Sequence, residues 1–187
     1  MIELELKAVV DDLEARSAAV ARAGGRLVKE GHQRDLRFDD DAGAITGRGE
    51  MLRVRVFTNG AQRDATLEWK GRAVTRGAFK EREEIGAEVA DGDALVDILG
   101  RLGYRVMLQI DRRIVQYELE GATVRFERYP QMDDLVEVEG SEEAIERAVK
   151  VIGIPREAYG AGSIQEYMRG YEERSGRRAI VGEDAAR

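Results

Sequence analysis

The chain has no cysteine, and this absence removes several kinds of chemistry at once. Disulfide bonds, cysteine-ligated zinc and thiol nucleophiles are all excluded from its 187 residues. Histidine is almost as scarce, since His32 is the only one, and we expect it to have a structural or surface role rather than to act as a catalytic base. A chain without cysteine also fits the cytoplasm, where we expect this protein to be found.

Long apolar runs are missing as well. No stretch approaches the roughly 20 apolar residues that a membrane span needs, and the sequence starts with a charged strand rather than a signal peptide. The net charge of −7 argues against general binding of nucleic acids or membrane surfaces. No G-x-x-x-x-G-K-[ST] loop is present, so any phosphate binding is not of the P-loop kind.

Charge is abundant instead, and it alternates with apolar residues. Charged residues make up 36% of the chain, and residues 2–7 read IELELK. Successive side chains of a strand point to opposite faces, so Glu3, Glu5 and Lys7 are predicted to form one row behind which the apolar residues pack. The same alternation recurs in later segments that carry Arg53 and Arg55, Glu68 and Lys70, Lys80, Arg82 and Glu84, Arg125 and Glu127, and Glu137 and Glu139.

The remaining pattern predicts a mostly antiparallel α+β domain. Helices are expected to start near Asp11, Asp91 or Asp93, Ser141 and Ser163, and the first three to end at glycines. We assign residues 1–174 to one domain and interpret the small, charged residues 175–187 as a disordered tail. Strands are predicted at 2–9, 26–38, 50–58, 63–71, 78–88, 104–110, 113–119, 122–128 and 134–139.

Two folds could use six strands that each have one apolar and one charged face. A sheet with a solvated face is the simpler alternative, but solvated faces usually include Thr, Ser and Asn, and these rows are almost all Glu, Lys and Arg. A closed barrel of the eight-stranded type, with the charges in its lumen and helices covering its outside, explains the set better.

A lumen that contains both signs of charge favours a particular ligand. Arg and Lys bind phosphate oxygens, whereas clustered carboxylates repel phosphate unless a divalent cation lies between them. Mg²⁺ and Mn²⁺ prefer oxygen ligands and bridge carboxylates to phosphates. The residues therefore predict a Mg²⁺- or Mn²⁺-assisted polyphosphate site, where catalysis depends on positioning and charge neutralisation.

These motifs, taken in order, resemble those of the CYTH superfamily, the triphosphate tunnel metalloenzymes. Glu3-x-Glu5-x-Lys7 resembles the family's E-x-E-x-K signature, and the resemblance extends over roughly residues 1–170. The segments similar to later family strands are Gln33-x-Asp35-x-x-Phe38-Asp39, Leu52-Arg53-x-Arg55, Leu67-Glu68-Trp69-Lys70-Gly71, Arg82-Glu83-Glu84-Ile85, Glu127-Arg128-Tyr129-Pro130 and Val136-Glu137-Val138-Glu139-Gly140.

The resemblance implies a role for each group of residues. It makes Lys7, Glu5 and Glu84 the expected catalytic residues, with Glu84 orienting its basic neighbours or helping with the metal. The implied metal ligands are Glu3, Glu5, Glu127, Glu137 and Glu139. The implied triphosphate-binding residues are Lys7, Arg53, Arg55, Lys70, Arg82, Arg113 and Arg125, with Arg112 as a further candidate in the same hairpin.

The reaction stays open between alternatives. We expect hydrolysis of inorganic triphosphate or of a nucleoside or organic triphosphate, and the close rival is an adenylate cyclase that forms cyclic AMP and pyrophosphate. Arg37 where members often carry Tyr, Gln109 where Lys is common, and Glu127 where Asp is usual motivate a third alternative, a non-catalytic polyphosphate- or nucleotide-binding module. A structural β-domain without a ligand is the weakest rival, and the oligomeric state, including a homodimer, is left open.

Overall fold

A computed structural model describes residues 2–77 and 79–182, apart from the side chains of Ile2, Glu3 and Arg76. The strands are β1 (Ile2–Val9), β2 (Arg26–Asp39), β3 (Met51–Asn59), β4 (Gln62–Lys70), β5 (Val74–Arg76), β6 (Phe79–Val89), β7 (Arg105–Leu119), β8 (Ala122–Arg128) and β9 (Leu135–Gly140). The helices are α1 (Leu13–Arg22), the four-residue α2 (Ala44–Gly47), α3 (Gly92–Arg101), α4 (Glu142–Ile152) and α5 (Ile164–Ser175), with a 3₁₀ turn at Arg156–Ala158.

Eight of the described strands close into an antiparallel barrel, which confirms the predicted fold class. Their order is β1-β9-β8-β7-β2-β3-β4-β6, and β6 pairs back onto β1. Glu5 lies opposite Glu139 on β9 and opposite Lys80 on β6, so the first strand joins the two ends of the sheet. The short strand β5 is the ninth strand, and it pairs with the first three residues of β6.

The apolar core lies outside the barrel, between its outer face and the helices. Leu6, Val124, Phe126 and Val138 are fully buried beneath α1 and α4, and α4 adds its own buried stripe, which includes Ile145 and Ile152. A second cluster lies under α3, around Leu99 and Val54. Because apolar side chains alternate with charged ones along each strand, burying this face directs the charged face into the lumen.

The strand prediction was wrong in two places: it put a break inside β7 and it missed β5. Residues 104–110 and 113–119 were predicted as two strands, but β7 runs unbroken through Asp111 and Arg112. These two charged residues were interpreted as a break between strands. In the structure each forms an ion pair, Asp111 with Arg34 outside the barrel and Arg112 with Asp35 inside it. The three-residue β5 was not predicted because it is too short to show alternation.

The segment after α5 also differs from the predicted tail. Ala179 and Val181 are each only 4% exposed, and Ile180 forms a β-bridge with Gln131. The backbone amide of Asp111 donates to the carbonyl of Val181 at 2.6 Å. Residues 176–182 therefore pack against the barrel, and the rest of the predicted tail, 183–187, lies outside the described residues.

No described helix is both long and apolar enough to span a membrane.

Candidate active site in the barrel lumen

The barrel encloses a cavity of about 1130 Å³ whose wall is dominated by charged side chains. They come from alternate positions of all eight barrel strands, as the strand periodicity requires. The cationic members among the described residues are Lys7, Arg37, Arg53, Arg55, Lys70, Lys80, Arg82, Arg112 and Arg125. The acidic members contributed by the strands include Glu5, Asp35, Glu68, Glu84, Glu127, Glu137 and Glu139.

Three carboxylates converge on the wall made by β1 and β9. One oxygen each from Glu5, Glu137 and Glu139 lies within 4.8 Å of the other two. The antiparallel pairing of β1 with β9 sets Glu5 directly against Glu139, and Glu137 is two residues away on the same face. Three carboxylate groups with oxygens this close form a donor set that fits Mg²⁺ or Mn²⁺.

Basic side chains surround this carboxylate cluster. The Lys7 Nζ lies 3.2 Å from a Glu5 oxygen and also contacts Glu137, and Lys80 contacts Glu5. Arg125 contacts Glu137 as well, and its Nη2 is 3.5 Å from Glu139. Burial alone would raise the pKa of Glu5, but the charges of Lys7 and Lys80 outweigh it and hold that pKa well below its usual value. Glu5 therefore stays ionised, as a carboxylate metal ligand must be.

A second cluster is built around Asp35 on the far wall. Asp35 is completely buried and accepts hydrogen bonds from Arg53 at 3.0 Å, Arg55 at 2.8 Å and Arg112 at 3.0 Å. Despite burial, these three cations keep the pKa of Asp35 well below its ordinary value. Asp35 thus contacts three guanidinium groups at once, and Glu68 and Glu127 add further contacts to Arg53 and Arg112.

Glu127 lines the cavity outside the carboxylate cluster, and its assignment as a metal ligand stays a prediction. Its Oε1 accepts hydrogen bonds from Arg112 at 2.8 Å and Arg125 at 3.1 Å, and its Oε2 accepts one from the Tyr129 hydroxyl at 2.5 Å. Both oxygens are therefore used by protein donors. We attribute to Glu127 the positioning of two arginines.

The third wall, formed by β4 and β6, carries a mixed row. Lys70 pairs with Glu84, and Arg82 donates to the backbone carbonyls of Gly71 and, at 3.1 Å, Gly49. Burial, followed by the nearby charge of Arg53, lowers the pKa of Lys70 to about 8. Lys70 is therefore the cation of this wall that is closest to losing its proton near neutral pH.

One residue that was predicted to bind triphosphate, Arg113, does not face the lumen. It is exposed on the outer face of β7, and its neighbour Arg112 lines the cavity. The loose alignment of this hairpin left the inward residue undecided, and the unbroken β7 decides it. The side chain of Glu3 lies outside the described part of the molecule, so its predicted role as a metal ligand stays a prediction. The other predicted residues, Glu5, Lys7, Arg53, Arg55, Lys70, Arg82, Glu84, Arg125, Glu137 and Glu139, all line one cavity.

Sequence reasoning gave no role to several charged residues of the cavity, among them Asp35, Arg37, Glu68 and Lys80. The alternation of β6 already placed Lys80 in the same row as Arg82 and Glu84. Asp35 and Arg37 share one face of β2 by the same parity. Strand parity was thus the signal that could have added them.

Comparison with known proteins agrees with this geometry. A family model, the CYTH domain, matches residues 1–154. No curated protein matches the chain.

Solved structures share the fold at low sequence identity. A protein from Pyrococcus horikoshii OT3 aligns with a TM-score of 0.75 and 21% identity, covering 90% of this chain and 98% of that one. A candidate adenylate cyclase from Vibrio parahaemolyticus gives a TM-score of 0.76 and 17% identity, with the same coverage of 90% and 98%. HpAC1 from Hippeastrum, described as a candidate adenylyl cyclase with a dominant triphosphatase activity, gives 0.64 and 19%, covering 90% and 95%. The family model over residues 1–154, together with this shared barrel, shows that the chain belongs to the CYTH domain family.

Proposed function

We propose that this protein is a divalent-metal-dependent enzyme that hydrolyses a triphosphate held inside the barrel. One observation carries the proposal: a carboxylate cluster lies on the β1–β9 wall, and an arginine cluster lies on the β7–β2–β3 wall. β1 and β2 are four strands apart in either direction around the eight-stranded barrel, so the two clusters face each other across the lumen. A polyphosphate chain is the ligand that uses both at once.

Each wall has its own task in this proposal. Glu5, Glu137 and Glu139 would hold Mg²⁺ or Mn²⁺, with Glu3 as a further proposed ligand from the same strand. When bound, the metal would neutralise charge on the phosphoryl oxygens and so lower the barrier to attack of water on phosphorus and departure of the remaining phosphate chain.

The protein's own cations bind and orient the substrate. Arg53 and Arg55 offer guanidinium groups whose positions Asp35 fixes, and Lys70 and Arg82 bind phosphate oxygens from the third wall. Groups held in place before the substrate arrives stabilise the developing charge without reorganisation during the reaction. Lys7 and Arg125 contact the carboxylate cluster, and we propose that Lys7 contacts the phosphoryl group under attack. Glu84 keeps Lys70 in position.

Adenylate cyclase activity is the second candidate. The cavity of about 1130 Å³ is larger than most small-molecule sites, which span about 300–1,000 Å³, and its wall also includes apolar side chains such as Leu108, Ile110 and Met168. An organic group therefore has room beside the phosphates. The dominant triphosphatase activity described for HpAC1, which shares this fold, is the reason that hydrolysis is placed first.

The deciding experiment follows products by phosphorus NMR. The purified protein is incubated with tripolyphosphate or ATP and with Mg²⁺ or Mn²⁺, and the same is done with Glu5→Gln and with Glu83→Gln. Glu83 is an exposed acid next to the site that does not line the cavity, so it is the matched control. Orthophosphate that disappears only in Glu5→Gln supports the hydrolase, whereas cyclic AMP with pyrophosphate supports the cyclase.

Absence of product from folded wild-type protein, in every metal, would instead favour a polyphosphate-binding module. Activity retained by Glu5→Gln would refute the metal assignment. We also propose a cytoplasmic location and a small-molecule triphosphate as the partner.

A further inference from the structure

Arg37 is unlike the other cations of the cavity. It lies on β2 between Arg53 of β3 and Leu108 of β7, and it lines the lumen. Among the residues that the structure describes, its guanidinium has neither an ion pair nor a hydrogen bond, and its Nε is buried without a partner. The other eight cationic side chains that line the cavity each contact a carboxylate or a carbonyl.

The surroundings of Arg37 make this isolation unfavourable. Burial, followed by the nearby charge of Arg53, lowers its pKa to about 10; the charge of Asp35 acts against this lowering, and that of Arg112 adds to it. Arg112 also has a buried Nη1 without a partner. Arg37 and Arg112 lie on neighbouring strands and each has one unused donor, although Arg112 is itself paired with Asp35 and Glu127. A half-buried cation without an ion pair, such as Arg37, has lost hydration that an incoming anion can replace.

We propose that Arg37 and Arg112 form an anion subsite that binds one phosphoryl group of the substrate on the wall opposite the carboxylate cluster, and that this subsite binds without a divalent metal. The identity of the anion as phosphate rests on the proposed function. Arg37 is a specificity-determining residue in this account: it selects a polyphosphate chain long enough to reach across the lumen.

Titration calorimetry in EDTA tests the subsite separately from metal-dependent chemistry. Tripolyphosphate is titrated into wild-type protein, Arg37→Gln, Arg37→Lys and Arg113→Gln. A charge-assisted hydrogen bond contributes enough that losing it weakens binding by about tenfold or more, which we expect for Arg37→Gln. Arg37→Lys should regain part of the affinity because it keeps the charge. Arg113→Gln removes an equal charge from the outer face of the barrel and should bind like the wild type.

Thermal unfolding of the empty proteins separates a ligand-binding role from a structural one. Removing an unpaired buried cation should leave the melting temperature of Arg37→Gln equal to or above that of the wild type. A clearly lower melting temperature would overturn the proposal, because it would mean that Arg37 stabilises the fold. Equal tripolyphosphate affinities of wild type and Arg37→Gln, or no binding by the wild type in EDTA, would overturn it as well.

The two proposals fail in different ways. If only the hydrolase proposal is wrong, the Arg37→Gln defect in EDTA persists while no metal supports turnover. If only the subsite proposal is wrong, Mg²⁺- or Mn²⁺-dependent turnover disappears in Glu5→Gln, but Arg37→Gln titrates like the wild type.

Discussion

Replacing Asp35 by Asn should destabilise the empty protein strongly. Asp35 is 0% exposed and is the common acceptor for Arg53, Arg55 and Arg112, at 3.0, 2.8 and 3.0 Å. Removing one partner from a buried ionic cluster costs roughly 3–5 kcal/mol, a large part of the roughly 5–15 kcal/mol that stabilises a typical domain. Asn keeps the size of the side chain, so the loss would report the missing charge and not a cavity.

Tripolyphosphate should recover part of that loss, since its negative charge can take the place of the carboxylate beside the three arginines. Urea unfolding followed by the fluorescence of Trp69, the single tryptophan, measures both effects, with EDTA present so that metal binding does not contribute. Asp41→Asn is the matched control: its ion pair with Arg105 spans 3.0 Å, but both side chains are about 70% exposed, so we expect a change of about 0–1 kcal/mol. A change of less than about 1 kcal/mol in Asp35→Asn would refute the argument that this carboxylate holds the arginine wall together.

Four further outcomes are expected. Arg55→Ala should weaken triphosphate binding by ~1.5–3 kcal/mol, measured by calorimetry, and an unchanged affinity would remove Arg55 from the phosphate site. Triphosphate affinity should fall as the pH rises through about 8, because Lys70 loses its proton there, and Lys70→Arg should flatten this pH profile. For the empty protein the sign is opposite: the unfolded chain, with a lysine pKa of 10.5, holds this proton at pH values where the fold has released it, so the contribution of Lys70 to stability increases between pH 8 and 10.5. Ending the chain after Gly176 removes the buried Val181 and should cost about 2 kcal/mol in urea unfolding, while an unchanged stability would support the predicted tail.

Strand alternation made the barrel and most of its lumen predictable from the sequence. A period of two sorts side chains between the core and the lumen, and it does so for Glu5 and Lys7 without any knowledge of the strand order. The same period means that an error of one residue moves a side chain to the opposite face of the strand. In β7 an uncertainty of one residue led to the prediction of Arg113 where Arg112 faces the lumen.

Contacts between distant segments were beyond this reasoning. Glu127 matched a family motif, but its use by Arg112, Arg125 and Tyr129 follows from which strands become neighbours. The packing of Val181 against β7 likewise leaves no local periodicity in the sequence.

The closure of the barrel by its first strand has a consequence for the order of folding. β1 is synthesised before its partners β6 and β9, which lie about 80 and 135 residues later in the chain. Contacts so distant in sequence form slowly because they close large loops. Glu5 therefore cannot meet Glu137 and Glu139 until β9 has been synthesised, so barrel closure and assembly of the carboxylate cluster are one event. A partly made chain would expose the apolar face of β1, and it would have no metal site.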